Sequence, residues 1–189
     1  MYLFFDTETT GLPPNYNAPL TDFKNWPRMV QIAWVYQNSS GQVVDRACHI
    51  IKPQGYSIPI DASNLHRITT NRAKQEGVEL VWVLERFNKL VNESIYIVAH
   101  NISFDEKIIG AEFLRNKMTN SLQGKHRICT MEKSVNFCGL KTQYGYKRPK
   151  LSELHWKLFE CNFDGAHDAH ADISATVKCF WELRRRGIL

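Results

Sequence analysis

Two strand-like apolar runs, Met29 to Tyr36 and Val43 to Ile51, are joined by the turn-forming stretch Asn38-Ser39-Ser40-Gly41, and a third run, Tyr2 to Phe5, precedes them. The spacing predicts an antiparallel hairpin preceded by one more strand. Between the Tyr2 to Phe5 run and the Met29 to Tyr36 run, residues 12 to 28 are rich in Pro, Asn and Asp, which neither a helix nor a central strand tolerates, so a long loop is expected. After Pro53 the pattern changes. Asp61 to Glu76 is polar and helical with breaks, and Leu80, Val83, Leu84, Phe87 and Val91 then recur at helical spacing. Ile95 to Ala99 is a short β-rich run, Phe104, Ile108, Ala111 and Leu114 form a helical stripe, and Arg127 to Cys129 suggests another strand. Lys150 to Phe159 and Ala169 to Arg186 are helical. A hairpin followed by alternating strands and helices predicts an α/β fold, a mixed five-stranded sheet flanked by helices.

At 189 residues, 43% of them hydrophobic, the chain is long enough to bury one core, and a single domain over 1–189 is expected. Disordered and fibrous classes are excluded. A net charge of +5 favours a polyanionic partner without defining where it binds. Five scattered cysteines, none in a C-x-x-C pair, suggest neither a disulfide framework nor a zinc site. With no signal segment at the N-terminus and no apolar run of membrane-spanning length, a cytoplasmic location and no membrane partner are expected.

Three acidic sites stand beside apolar elements, where a carboxylate must be paired, protonated or bound to a metal. In Phe4-Phe5-Asp6-Thr7-Glu8-Thr9-Thr10-Gly11, Asp6 is expected at a strand's end, and positions i and i+2 of an extended segment face one side, so Asp6 and Glu8 can share a cation. A solvated strand terminus is the alternative. Asp105, in Ala99-His100-Asn101-Ile102-Ser103-Phe104-Asp105, falls in a helix's first turn, where it is either a site acid or a dipole acid behind a Ser103 cap. In His167-Asp168-Ala169-His170-Ala171-Asp172, Asp168 and Asp172 share a helical face; Asp168 suits an N-cap better than a ligand, and His170 points elsewhere.

Taken together and in this order, the three segments resemble the DEDDh-type 3′-to-5′ exonucleases of the ribonuclease H-like fold, over nearly the whole chain. The family's four acids correspond to Asp6, Glu8, Asp105 and Asp172, and its His-x-Ala-x-x-Asp pattern is met by His167, Ala169 and Asp172. The sister class has tyrosine where this chain has Asp168, and is thereby excluded. Leu65-His66-Arg67-Ile68-Thr69 resembles the family's His-Gly-Ile-Thr segment, with Arg67 in place of the glycine, a departure that bears on the backbone shape beside His66. Leu151-Ser152-Glu153-Leu154 resembles the start of its penultimate helix.

The resemblance implies phosphodiester hydrolysis with two Mg²⁺ or Mn²⁺ ions. Asp6 would bridge them, Glu8 and Asp172 would hold one, and Asp105 would serve the other. His167 would be the general base. It also implies terminal-nucleotide contacts from Thr9, Gly11, Leu12, His66 and Asn101, whereas Phe104 reads better as core. The expected partner is the 3′ end of a single-stranded nucleic acid, DNA favoured. A DNA polymerase is a further candidate partner, although the chain stops at Leu189 without the tail such a subunit would use. A catalytically silent binding module is disfavoured, because all five catalytic positions are filled. Lys141 to Lys150 interleaves cations and aromatics, as single-strand binders do, or is a solvated loop. Arg184, Arg185 and Arg186 are expected to complement the last helix's dipole.

Overall fold

The computed structural model describes residues 1–164 and 168–189. Strands β1 (Tyr2–Thr9), β2 (Met29–Gln37) and β3 (Val43–Ile50) form an antiparallel meander. Three helices follow, α1 (Ile60–His66), α2 (Thr70–Glu76) and α3 (Leu80–Glu93). Then come β4 (Tyr96–Ala99), α4 (Ile102–Arg115), β5 (His126–Cys129) and the short helices α5 (Thr130–Lys133) and α6 (Val135–Cys138). A small hairpin, β6 (Lys141–Thr142) and β7 (Gly145–Tyr146), leads into α7 (Leu151–Phe159), and α8 (Ala169–Arg185) closes the fold. The main sheet has the order β3-β2-β1-β4-β5, with β4 and β5 parallel to β1. The expected mixed five-stranded sheet is therefore present. Among the described residues no helix is long and apolar enough to cross a membrane.

The polar stretch 61–76 is two helices rather than one, because Arg67 breaks it in the left-handed conformation, φ 63 and ψ 17. A glycine reaches that region freely, whereas a side chain pays of order 1 kcal/mol. The arginine thus keeps the backbone shape that the glycine would favour.

Strand alternation sorts the core into two layers. Leu3 and Phe5 point to one face and pack with Trp34, Val83, Phe87, Ile108 and Phe113, under α3 and α4. Tyr2 and Phe4 point to the other and pack with Val35, Val98, Ile173 and Phe180, under α8. The short parallel strand β4 pairs with β1 only from Tyr2 to Phe4, while β2 accompanies β1 as far as Thr9. Asp6 is consequently not at a strand's end, as its apolar flank suggested, but in mid-strand beyond the point where β4 turns away.

The long loop is tied down at its neck and at its middle. Thr10 N–H donates to the Arg28 carbonyl at 2.9 Å, and Arg28 N–H to Thr10 Oγ1 at 3.0 Å. Asn15 and Asn25 bond reciprocally, and Trp26 Nε1 donates to the Pro19 carbonyl. The anchor is Glu112 on α4, with no exposed surface; its Oε1 accepts from Arg28 Nε at 2.8 Å, Met29 N–H at 3.1 Å and Arg115 Nη1 at 3.1 Å. Arg115 in turn donates to the Phe23 and Trp26 carbonyls. Removing this carboxylate leaves two guanidinium groups uncompensated at a buried junction. Glu112→Ala should cost about 3 kcal/mol or more in a urea unfolding experiment, with Glu112→Gln intermediate; an unchanged midpoint would contradict this role.

Candidate active site

The acidic cluster is a product of the same alternation. Tyr2, Phe4, Asp6 and Glu8 all lie on the α8 side of β1, so once the apolar run ends, its next two positions bring carboxylates against the start of α8, where Asp172 stands. Carboxylate oxygens of Asp6, Glu8 and Asp172 lie within 4.8 Å of one another. Thr7, on the opposite side, faces α4. There it takes hold of Asp105, whose Oδ1 accepts from Thr7 N–H at 3.0 Å and from Thr7 Oγ1 at 2.7 Å. Asp105 is thus neither a capping acid nor solvated. Its helix begins at Asn101, which adopts a left-handed conformation (φ 75), so the expected Ser103 cap is not formed; Ser103 Oγ bonds Asn101 Oδ1 instead.

Asp6, Glu8, Asp105 and Asp172 line one cleft of about 300 Å³ together with Leu12, Tyr16, His100, Asn101, Phe104 and Leu151. Burial and crowding raise the proton affinities of Asp6, Glu8 and Asp105. Burial comes first for Asp6, followed by the charges of Asp105, Asp172 and Glu8, and lifts it well above the usual carboxylate range. Burial and then Asp172 push Glu8 up to about 8. Burial pushes Asp105 up to about 7 against the opposing bonds from Thr7. Oxygen donors that sit this close and resist ionising together are suited to hard divalent cations, whose charge would relieve the repulsion. The donor set therefore fits the ions implied by the sequence.

Other expected contacts are distributed unevenly. Leu12 is 73% exposed at the cleft's rim. Thr9 is buried and its hydroxyl donates to the Gly11 carbonyl, and Gly11 has φ 149, a value that favours glycine. His66 is buried and does not line the cleft: Nδ1 accepts from Ile68 N–H at 3.2 Å, and Nε2 has no hydrogen-bond partner among the described residues. Burial lowers its proton affinity, partly offset by nearby backbone groups. Phe104 serves both the core and the cleft wall. Asp168 caps α8 as expected, accepting from His170 N–H at 2.9 Å, and His170 is exposed. His167 lies outside the described residues.

Sequence reasoning missed Thr7, Tyr16 and His100. His100 makes two bonds, between Nδ1 and Thr130 Oγ1 at 3.0 Å and between Nε2 and the Pro149 carbonyl at 3.1 Å. A carbonyl only accepts, so the proton is on Nε2 and Nδ1 receives the threonine hydroxyl. The three C-terminal arginines also do more than answer a dipole: Arg185 and Arg186 pair with Glu182, and Arg184 reaches the Tyr2 hydroxyl.

The RNase T exonuclease family model matches residues 3–180. The chain belongs to that exonuclease family. PolC-type DNA polymerase III of Streptococcus pyogenes is 31% identical over 175 residues, 93% of this chain and 10% of the polymerase; that of Streptococcus thermophilus gives the same identity and shares. The chain spans about a tenth of the length of these curated relatives. Among solved structures, E. coli exonuclease I in complex with a dT13 oligonucleotide superposes with a TM-score of 0.78 at 22% identity, over 98% of this chain and 41% of exonuclease I. The zinc-ion-bound form of the E. coli exonuclease I complex with single-stranded DNA gives 0.77 at 21%, over 98% and 40%. These neighbours share the fold, and the expected ribonuclease H-like architecture of this exonuclease holds.

Carboxylates whose folded-state proton affinity is raised bind more protons folded than unfolded between their ordinary range near 4 and the raised values, so folding stability must fall as pH rises through that window. In chelator, the exonuclease's melting temperature should drop between about pH 5 and pH 8. Millimolar Mg²⁺ or Mn²⁺ should restore it most at the alkaline end, where the cluster is ionised. A melting temperature independent of both pH and metal would contradict the electrostatic account.

Proposed function

We propose that this exonuclease shortens single-stranded or frayed nucleic acid, DNA favoured, from its 3′ end to 5′-mononucleotides, with two divalent cations and a histidine base. The observation that carries the reading is the meeting of four acids from β1, α4 and α8 in one cleft, three of them within 4.8 Å. Asp6, Glu8 and Asp172 would hold the cations, with Asp105 completing the set and Thr7 fixing its direction. Cations so bound neutralise charge on the phosphate and lower the proton affinity of water.

The remaining roles belong to the chain itself. His167 takes the proton of the attacking water. Asn101, at the positive end of α4, and the backbone from Thr9 to Leu12 hold the terminal sugar, while Leu12 packs against the base. Closure of the cleft by the long loop and by the start of α7 favours a free end over an internal segment. A second reading, proofreading beside a DNA polymerase, is favoured by the likeness to PolC-type polymerases; a pull-down against replicative polymerase tests it.

A strand labelled at its 5′ end should give a descending ladder, and a closed circular single strand should resist. Efficient cutting of the circle would indicate an endonuclease. Excess EDTA should abolish cleavage, and Asp6→Asn should be the most damaging single change, since Asp6 would serve both ions. For the base, His167→Ala should lower the rate by roughly 10²- to 10⁴-fold with strand binding nearly intact. His170→Ala should cost far less, and equal activity of the two variants would remove His167 from that role.

A further inference from the structure

The ten residues from Lys141 to Lys150 hold four cations and two tyrosines and no acid. They are not an irregular loop. Lys141 and Thr142 pair with Tyr146 and Gly145, Thr142 Oγ1 donates to the Gly145 carbonyl and accepts from Tyr144 N–H, and Lys147 N–H closes on the Leu140 carbonyl. Gly145, at φ 112, permits the reversal. The hairpin is therefore shaped by its own backbone, and residues 141–148 are all exposed. Tyr144 is 91% exposed and Tyr146 51%, and among the described residues neither ring stacks on another. The Tyr144 ring therefore buries almost no surface in the fold.

Charge follows the same division. Lys147 is paired with Glu153, and Arg148 stands 3.6 Å from Glu132; Glu153 also accepts the Lys150 N–H at 2.8 Å, and among the described residues no carboxylate forms an ion pair with the ammonium of Lys141 or Lys150. The base of the hairpin, by contrast, is fixed to the active site. Pro149 is buried, its carbonyl accepts the His100 Nε2 proton, and Leu151, two residues on, lines the cleft that holds the four acids. From Pro149 to Tyr144 the extended chain reaches about 16 Å, the scale of a few nucleotides. A cationic, aromatic projection rooted at the mouth of a cleft that takes a strand's end has the chemistry of a single-strand contact: cations follow the phosphates, and rings accept any base.

We propose that the β6–β7 hairpin is an arm that grips single-stranded nucleic acid behind its terminal nucleotide, with Lys141, Arg148 and Lys150 on phosphates and Tyr144 and Tyr146 stacked on bases. The proposal rests on the exonuclease reading for the strand's presence in the cleft. The arm acts on affinity and on strand length, while the acids act on the bond.

The test uses the full chain carrying Asp6→Asn, in magnesium, so that binding is read without turnover. Fluorescence anisotropy follows a labelled single strand of about twelve nucleotides over a range of salt. Adding Tyr144→Ala should weaken binding about tenfold with little change in salt dependence. Adding Lys141→Gln with Arg148→Gln should flatten the slope of log affinity against log salt by about 1.4, about 0.7 for each lost phosphate contact. With a strand of about two nucleotides, too short to reach the arm, the arm variants should match the background. Matching melting curves exclude misfolding. The proposal is overturned if Tyr144→Ala binds the long strand as the background does, if the slope is unchanged in the double variant, or if the losses are equal for long and short strands. Strand binding lost in the arm variants while the unmutated chain cuts no nucleic acid would sink the exonuclease reading and leave the arm standing. Cleavage by the unmutated chain together with unaltered binding by the arm variants would do the reverse.

Discussion

Two hydrogen bonds from Thr7 to Asp105 hold the functional end of the molecule together. They cross from the central strand to the helix on its far side, linking residues 98 positions apart, and they do so from the one residue of β1 that lies between the two strand acids. The donors satisfy a buried carboxylate that would otherwise be forced to stay protonated or turn to solvent. They also fix the depth of α4 against the sheet, and with it Asn101, Phe104 and the Glu112 anchor of the long loop. Replacing the threonine hydroxyl removes one donor, but the backbone N–H remains, so the link is partly written in the fold and partly in the side chain.

The acids illustrate a trade between folding and function. An apolar residue at position 6 or 8 would continue the core series begun by Tyr2 and Phe4. The chain instead places charges there, at the point where β4 has already left the sheet and the cleft opens. Their mutual repulsion is a standing cost in the metal-free protein, carried by the aromatic layer beneath them: Phe4 meets Phe180 edge-on, with ring centroids 5.0 Å apart, and Tyr2 stacks on Tyr96 at 4.9 Å. Aromatic packing beneath the cleft thus stands beside a cleft whose acids repel one another.

What the sequence disclosed follows from the range of the forces involved. Asp6 and Glu8 were legible as a same-side pair because strand alternation is local, and the Asp168 cap because a cap involves neighbours. Asp6 was misplaced at a strand's end because the apolar run stops at Phe5, whereas hydrogen bonding to β2 continues through Thr9; hydrophobicity reports burial, and the ladder needs none. Ser103 was read as a cap because its type suits one, yet Asn101 tolerates the left-handed conformation and starts the helix itself. Thr7, His100 and Glu112 carried no local signal, since their partners lie 98, 49 and 84 residues away. The cationic stretch after Leu140 left loop and binding surface equally open, and only the cross-strand register resolves it into a hairpin.

His100 has one more consequence. Burial pushes its imidazole down to about 4, with the Pro149 carbonyl opposing, so near neutral pH the ring keeps one proton and one lone pair. The strap between the cleft and the hairpin is therefore insulated from titration, although it is built from the side chain most used as a pH sensor. A strand held by the proposed arm would therefore feel a change of acidity through the carboxylates of the cleft and not through this strap.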